Sequence, residues 1–335
     1  MSDLRTVLDE HWERLEAVPA PRADVLRTSV LPVQTSCGQV LAAVDVNGIR
    51  HLMVPLRARQ RIADTPVGAA LGICERPLQN EDGYARYADI ACSRRELDDV
   101  FTGLCGDVLV ALEADAARPY HTARMVVDRW RQLFAPLPRT LTPAEVIGLF
   151  GELLVLTRML EDDPDAVRHW TGPEGNRHDF SDGMRAVEVK SVVTASERRT
   201  MHIHGLDQLE TPAGGSLLLA WHRFEPHPDG TSLPDLVTRA RRMCGDELAL
   251  LSKLVRIGYR PSGEHHHEPR LRLVESRWHL VDDDFPRLTA ASMAEGTPPL
   301  GVLDVRYTVD LAAARTEPLD DATVNDLLRH MGETA

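Results

Sequence analysis

Residues 177–193, RHDFSDGMRAVEVKSVV, have the pattern of two short β-strands joined by a tight turn. The Asp-Gly pair at 182–183 is typical of hairpin turns, because glycine adopts the backbone conformations that such turns require. Side chains alternate between the two faces of a strand, so Glu188 and Lys190 share one face of the second strand. Asp179, on the first strand, is then expected beside the Glu188 end of its partner. The stretch therefore predicts two carboxylates and one ammonium group at one point of a sheet.

This arrangement has two interpretations. Burying a carboxylate and an ammonium group in an otherwise apolar strand costs several kcal/mol per ion unless other groups compensate. The first interpretation is that the pair is retained in spite of this cost because it forms part of a functional site. The alternative is a solvated pair at Glu188 and Lys190, with Asp179 as an ordinary residue flanking a turn. Two carboxylates a few ångströms apart are the hard oxygen ligands that Mg²⁺ prefers.

Two further polar residues stand out in apolar or strand-forming surroundings. Glu152 lies in the middle of the apolar helical segment GLFGELLVL, residues 148–156, whereas Glu145 is explained by a capping box with Thr142. Glu152 is therefore a candidate to enter the site from a helix, the alternative being a solvated helix position. Gln208 follows a short predicted strand and could orient a water molecule or a phosphate, although a polar residue there needs no function.

Composition narrows the function classes. The chain has 335 residues and a formal net charge of −13, which argues against a protein that binds DNA non-specifically and on its own. Only two of its 38 basic residues are lysines, Lys190 and Lys253, and the rest are arginines. Where arginine dominates so strongly, a retained lysine indicates a position that needs a compact ammonium group.

The length and the order of elements predict two domains. A smaller, β-rich α+β domain is expected over residues 1–137, and a proline-rich stretch precedes a second domain over 138–335. The second domain alternates helices and strands in an order that predicts an α/β (α+β) fold with a central mixed β-sheet flanked by helices.

The sequence shows neither a secretory signal nor an apolar stretch long enough to span a membrane. Its five cysteines are scattered and lack the spacing of a zinc site. We therefore expect a cytoplasmic protein with reduced thiols and no membrane association.

Taken in order, Glu152, Asp179, the Glu188-Val189-Lys190 triplet and Gln208 resemble the motifs of the PD-(D/E)XK nuclease superfamily. More narrowly, the chain is similar to a bacterial PD-(D/E)XK family linked to restriction and phage-defence loci. The similarity is carried by GLFGELLVL, W-x-G-P-x-G-x-x-H-D-F, VEVKS and HIHGLDQLE, within residues 140–225. One position departs from the signature, because His178 stands where the superfamily has proline.

The resemblance implies a restriction-endonuclease-like C-terminal domain that hydrolyses DNA phosphodiester bonds with Mg²⁺ or Mn²⁺. Asp179 and Glu188 would hold the metal, with the Val189 carbonyl and Glu152 in support. Lys190 would position the attacking water and Gln208 would assist it.

The resemblance also implies partners. It implies that the protein acts on DNA and associates with helicase-like ATPase or methyltransferase subunits. A homodimer is a further expectation. Arg198 and Arg199 are candidate nucleic-acid contacts. The alternatives are a catalytically silent DNA-binding or assembly subunit on a nuclease fold, and a nuclease that acts on RNA.

Overall fold

The computed structural model describes residues 4–19, 25–62, 65–66, 70–80, 83–135, 139–261, 269–293, 300–302 and 304–333. The chain divides into two compact units. The first comprises residues 1–137 with 260–264, and the second comprises 138–259 with 265–335. The domain boundary expected at residues 137 and 138 falls in 136–138, which lies outside the described residues.

The first unit is built on a six-stranded antiparallel sheet with the order β1-β2-β3-β6-β5-β4. Its strands are β1 (Arg27–Thr35), β2 (Gly38–Val44), β3 (Arg50–Pro55), β4 (Thr65–Pro66), β5 (Leu71–Asn80) and β6 (Gly83–Cys92). Three helices pack on β1, β2 and β3: α1 (Leu4–Ala17), α2 (Asp98–Ala114) and α3 (Pro119–Trp130). Asn47-Gly48 lies between two strand-forming stretches and predicts a hairpin turn. This prediction is confirmed, because β2 and β3 pair antiparallel and Gly48 has a φ of +78°.

The sequence predicts a long helical stretch from Arg95 to about Phe134, broken by Gly103 and Gly106. In the structure this stretch is interrupted, but not at these two glycines. α2 runs without a break through Gly103 and Gly106, and the interruption comes at residues 115–118, just before Pro119. Both glycines are buried in the helix, whereas proline is tolerated in the first turn of a new one. Packing therefore overrides the weak helix propensity of glycine here.

The second unit is organised around a four-stranded mixed sheet with the order β11-β10-β8-β7, in which β8 and β10 are parallel. Its strands are β7 (Phe180–Ser181), β8 (Arg185–Val193), β9 (Thr200–His204), β10 (Ser216–Thr231), β11 (Leu271–Leu280) and β12 (Arg306–Asp310). β9 and β12 form a separate antiparallel pair. The helices are α4 (Pro143–Leu160), α5 (Leu233–Met243), α6 (Glu247–Ile257) and α7 (Asp321–Arg329). The predicted central mixed sheet with flanking helices is confirmed.

α4 packs directly against β8, and one glycine makes this approach close. A Cβ atom on Gly151 would come within 1.9 Å of Ser191 Oγ and 3.3 Å of Val189 Cγ1. Gly148, which also suggested close packing, has no atom within 4 Å of such a Cβ and is not needed for the contact. Gly151 therefore brings Glu152, its neighbour in α4, to the strand that carries Glu188 and Lys190.

Two predicted elements are shorter in the structure. The sequence predicts one long helix over about residues 233–257, whereas the structure has two, because Gly245 separates them and the Asp246 side chain accepts a hydrogen bond from Ala249 N to begin the second. The sequence also predicts a strand over residues 301–311, which among the described residues is limited to β12. Within the described residues, no helix combines the length and the hydropathy that a membrane span requires.

Candidate active site

The 177–193 hairpin forms as predicted and fixes the position of Asp179. Gly183 has a φ of +97°, and Asp182 Oδ1 accepts hydrogen bonds from the backbone nitrogens of Met184 and Arg185, which closes the turn. The two residues of β7 pair with Val187 and Ala186 of β8. Because β7 is so short, Val189 N is free to donate to the Asp179 side chain, at 2.7 Å from Oδ2.

Lys190 connects two polar side chains. Its Nζ donates to Glu188 Oε1 at 2.6 Å and to Gln208 Oε1 at 3.0 Å. Gln208 Oε1 also accepts a hydrogen bond from His204 N at 3.0 Å, so the turn after β9 fixes the amide that holds the ammonium group. Only 16% of the Lys190 side chain and 2% of the Glu188 side chain are exposed, which excludes the solvated pair.

Glu152 reaches the same region from α4. Its Oε2 accepts a hydrogen bond from the indole nitrogen of Trp170, at 2.7 Å. A Cβ atom placed on Gly172 would lie 3.5 Å from Glu152 Oε2 and 3.1 Å from Asp179 Oδ1. The two carboxylates therefore face a common space that only a glycine at position 172 leaves open.

The charged forms of three buried carboxyl groups, those of Glu152, Asp179 and Glu188, are electrostatically unfavourable in this site. Burial, together with the charge of Asp179, raises the pKa of Glu188 to about 8. Burial and the charge of Asp179 also raise the pKa of Glu152 well above its ordinary value. Burial raises the pKa of Asp179, against the opposing effects of Lys190 and the Val189 amide. Such mutual pKa shifts in a cluster of carboxylates are typical of functional sites.

The loop at residues 170–174 belongs to the W-x-G-P-x-G-x-x-H-D-F motif, to which the sequence assigned no role at the site, and in the structure it supports both Glu152 and Asp179. Thr171 N and Gly172 N donate to the carbonyl of Asp179 at 2.8 and 2.9 Å, and Trp170 holds Glu152. The loop is itself anchored by Lys253, whose buried Nζ donates to the Trp170 carbonyl at 2.5 Å and pairs with Glu174 at 2.9 Å.

The sequence contained a signal for Lys253, because it is the second of only two lysines. A compact ammonium group can be enclosed between a carbonyl and a carboxylate where a guanidinium would not fit as well. Both lysines of the chain thus serve the same region.

His178, in place of the signature proline, is a buried residue. Burial and the neighbouring Arg177 lower its pKa to about 4, so the imidazole is neutral at physiological pH. Its carbonyl accepts a hydrogen bond from Thr171 Oγ1 at 3.0 Å. The substitution therefore leaves the backbone at Asp179 tied to the supporting loop.

The two candidate nucleic-acid contacts differ in their surroundings. Arg198 is exposed, whereas Arg199 Nε donates to Glu275 Oε1 at 2.7 Å. Glu275 also pairs with Arg277 at 2.6 Å. Arg199 is thus committed to an ion-pair network, and the binding of DNA by either arginine stays a prediction.

The donor set fits a divalent cation. Carboxylate oxygens are the ligands that Mg²⁺ prefers, and Glu188 Oε2 is buried without a hydrogen-bond partner in the described part of the chain. A cation would stabilise the charged forms of these buried carboxyl groups and relieve the like-charge repulsion that adds to burial in raising the pKa values of Glu152 and Glu188. The cluster is not a complete ligand shell, because the described residues contain no group of three histidine, cysteine, aspartate or glutamate side chains placed to hold a metal. Two carboxylates with water and phosphate oxygens are sufficient for Mg²⁺.

Fold and site together define the class. A mixed sheet carries Glu188 and Lys190 on β8, and Asp179 lies immediately before the neighbouring strand β7, where its side chain accepts a hydrogen bond from Val189 N. With α4 packed against β8, this is the arrangement of a PD-(D/E)XK nuclease-like protein. A family model described as "Putative PD-(D/E)XK family member, (DUF4420)" matches residues 8–312, and the chain belongs to this family. No curated protein and no solved structure shows significant similarity to the chain.

Proposed function

We propose that this protein is a divalent-metal-dependent nuclease that hydrolyses DNA phosphodiester bonds. The observation that carries the proposal is the convergence of Asp179, just before β7, with Glu188 and Lys190 of the neighbouring strand β8. The Asp179 side chain accepts a hydrogen bond from the backbone nitrogen of Val189, the residue between the other two. Lys190 Nζ donates a hydrogen bond to Glu188 Oε1. Membership of a PD-(D/E)XK family supports the same reaction class.

Asp179 and Glu188 would hold the cation, and the Val189 carbonyl and Glu152 are the further donors we assign to it. A divalent cation in this position supplies Lewis-acid stabilisation of the charge that develops on the phosphate oxygens. Trp170 and the Thr171 and Gly172 amides keep the acidic side chains oriented before substrate arrives.

Lys190 contributes its own charge to the reaction. Its ammonium group orients the attacking water and neutralises negative charge on the phosphate as the bond to the leaving oxygen breaks. Gln208 holds that ammonium group in place through Oε1. The reaction adds water across the P–O bond, so one product carries the phosphate and the other receives the proton.

The biological setting is part of the same proposal. Family resemblance favours a bacterial restriction or phage-defence system with ATPase or methyltransferase partner subunits. A net charge of −13 agrees with partners that provide much of the grip on DNA. We further propose a cytoplasmic protein that acts as a homodimer when both strands are cut.

A second function is favoured by two observations. Lys190 and Glu188 are bonded directly to each other at 2.6 Å, and the described residues contain no preformed three-ligand metal group. Both features suit a catalytically silent subunit that binds DNA or a partner on a nuclease fold.

The deciding experiment compares the wild-type protein with Lys190→Met on supercoiled plasmid in Mg²⁺ or Mn²⁺, with EDTA as the metal-free arm. Arg256→Met is the matched control, since it removes an exposed positive charge in the same unit. We expect wild type and Arg256→Met to nick the plasmid, and Lys190→Met to be slower by about a hundredfold or more.

If no variant nicks the plasmid, calorimetric titration with Mn²⁺ separates two explanations. Binding that is lost in Asp179→Asn indicates a nuclease that needs a partner, whereas no binding by wild type indicates the silent subunit.

A further inference from the structure

The first unit contains a pocket that includes none of the residues that the proposed function uses. A pocket of about 390 Å³ opens where residues 57–60, after β3, meet residues 118–121 at the beginning of α3. Its lining includes Arg57, Arg59 and Arg118 with His121, and no aspartate or glutamate. We propose that this basic pocket binds phosphate groups, and that their source is the backbone of DNA.

The pocket is held in shape by its own backbone. Gln60 N donates to the Arg57 carbonyl at 2.9 Å, which closes a turn, and Arg86 donates to the carbonyls of Ala58 and Gln60. Arg57 Nη2 donates to the Ala117 carbonyl at 2.7 Å and so ties the two segments together. The cationic side chains are therefore displayed on a preformed frame, which lowers the ordering cost of binding a ligand.

Nearby acidic residues do not neutralise the pocket. Glu75 is engaged by Arg86 at 2.6 Å and by Arg61 at 3.4 Å. Asp115 accepts hydrogen bonds from Ala117 N and Thr122 Oγ1, and Arg118 is 3.9 Å away from it.

Arg57, Arg59 and His121 have no acidic partner within the part of the chain that the structure describes. In a protein with a net charge of −13, such a concentration of positive charge attracts anions locally. The N-terminus of the twelve-residue α3 adds further partial positive charge at the same place.

The chemistry of the pocket suits phosphate groups. Guanidinium groups form paired hydrogen bonds with phosphate oxygens, and three of them around one opening suit a doubly anionic group or two successive phosphodiesters. Arg57, Arg59 and Arg118 are all exposed, so the opening admits a polymer that continues beyond it. The choice of DNA over a free phosphate ester rests on the proposed function. The assignment of phosphate as the bound group rests on the pocket itself.

The test measures DNA binding by the full-length protein in EDTA, where cleavage does not interfere. Fluorescence anisotropy with a labelled duplex compares wild type with Arg59→Glu/Arg118→Glu. The matched control is Arg129→Glu/Arg131→Glu, which makes the same change of charge at two exposed arginines outside the pocket. We expect the pocket variant to bind about tenfold more weakly or worse, with the dependence of log K on log salt reduced by about two, and the control to be close to wild type.

Equal losses in the pocket and control variants, or no loss in either, would overturn the proposal for DNA. A second arm titrates wild type and the pocket variant with inorganic pyrophosphate by calorimetry. If wild type binds pyrophosphate, the pocket variant does not, and neither protein binds DNA, the ligand is a small phosphate ester. If wild type binds neither DNA nor pyrophosphate, the proposal is overturned.

Circular dichroism checks that the variants fold. If the charge-reversal variants do not fold, Arg59→Gln/Arg118→Gln is used in their place. The two proposals are tested independently, because cleavage is followed in Lys190→Met with metal present, whereas DNA binding is followed in the pocket variant in EDTA.

Discussion

The indole nitrogen of Trp170 donates a hydrogen bond to Glu152 Oε2 at 2.7 Å, which joins the supporting loop to the helix across the candidate active site. Trp170 is fully buried, and its carbonyl is in turn bonded to Lys253. One tryptophan thus connects a buried lysine to a catalytic-site carboxylate. This connection gives the site a rigid support that does not depend on substrate.

Replacing Trp170 with phenylalanine should weaken cleavage without unfolding the protein. A hydrogen bond to a charged acceptor contributes about 2 kcal/mol, so we expect plasmid nicking to slow by about thirtyfold. Trp221→Phe is the matched control, because Trp221 is equally buried but donates to the Thr200 carbonyl. An equal loss of activity in the two variants would contradict a specific role for Trp170.

Gly172→Ala should close the space between two carboxylates. The added methyl group would lie 3.1 Å from Asp179 Oδ1 and 3.2 Å from its Cα, which is backbone and cannot move aside cheaply. We expect Mn²⁺ affinity, measured by calorimetry, to fall by at least about tenfold.

Gly148→Ala, where the methyl group meets nothing within 4 Å, should leave Mn²⁺ affinity unchanged and raise helix stability slightly. Unchanged Mn²⁺ binding in Gly172→Ala would show that this space does not hold the cation.

Lys253→Met should destabilise the second unit. It leaves the buried Trp170 carbonyl without its donor and removes the partner of Glu174. We expect the free energy of unfolding to fall by about 2–3 kcal/mol in urea titrations at neutral pH. Arg256→Met, at an exposed position three residues further along α6, should change it by less than about 0.5 kcal/mol.

The variant also tests the link to the site. Because Trp170 orients Glu152, cleavage under conditions where Lys253→Met remains folded should be slower than in wild type. Full activity of the folded variant would separate the stability role of Lys253 from the site.

His222→Leu should make stability less sensitive to acid. Burial, with a smaller effect from Arg158, lowers the pKa of His222 from 6.5 to about 4. Above pH 6.5 the imidazole is neutral in both states, and between 6.5 and 4 only the unfolded state takes up the proton, so acid favours unfolding. The wild-type protein should lose up to about 3 kcal/mol through this residue, and the variant should not.

Urea unfolding at about pH 8 and about pH 5 measures the difference. His227→Leu, at a half-buried position on the same strand, is the control and should keep the wild-type response. The same loss of stability on acidification in all three proteins would contradict the assignment to His222.

Local sequence determined the elements that carry the site. The alternation of side chains placed Glu188 and Lys190 on one face of a strand, and the Asp-Gly turn placed Asp179 beside them, both of which the structure reproduces. The capping box at Thr142 fixed the beginning of α4 and left Glu152 as the carboxylate without a local explanation. These features depend on neighbours within a few residues, so a single sequence is sufficient to predict them.

Tertiary structure alone decided what surrounds the carboxylates. Lys253 lies more than 80 residues beyond Trp170 in the chain, and no local pattern relates the two. The continuity of α2 through Gly103 and Gly106 was likewise decided by packing, because both glycines are buried inside the helix. Hydrogen bonds and contacts between distant segments depend on which faces meet when the chain folds, and that information is spread over the whole sequence rather than held in any one stretch.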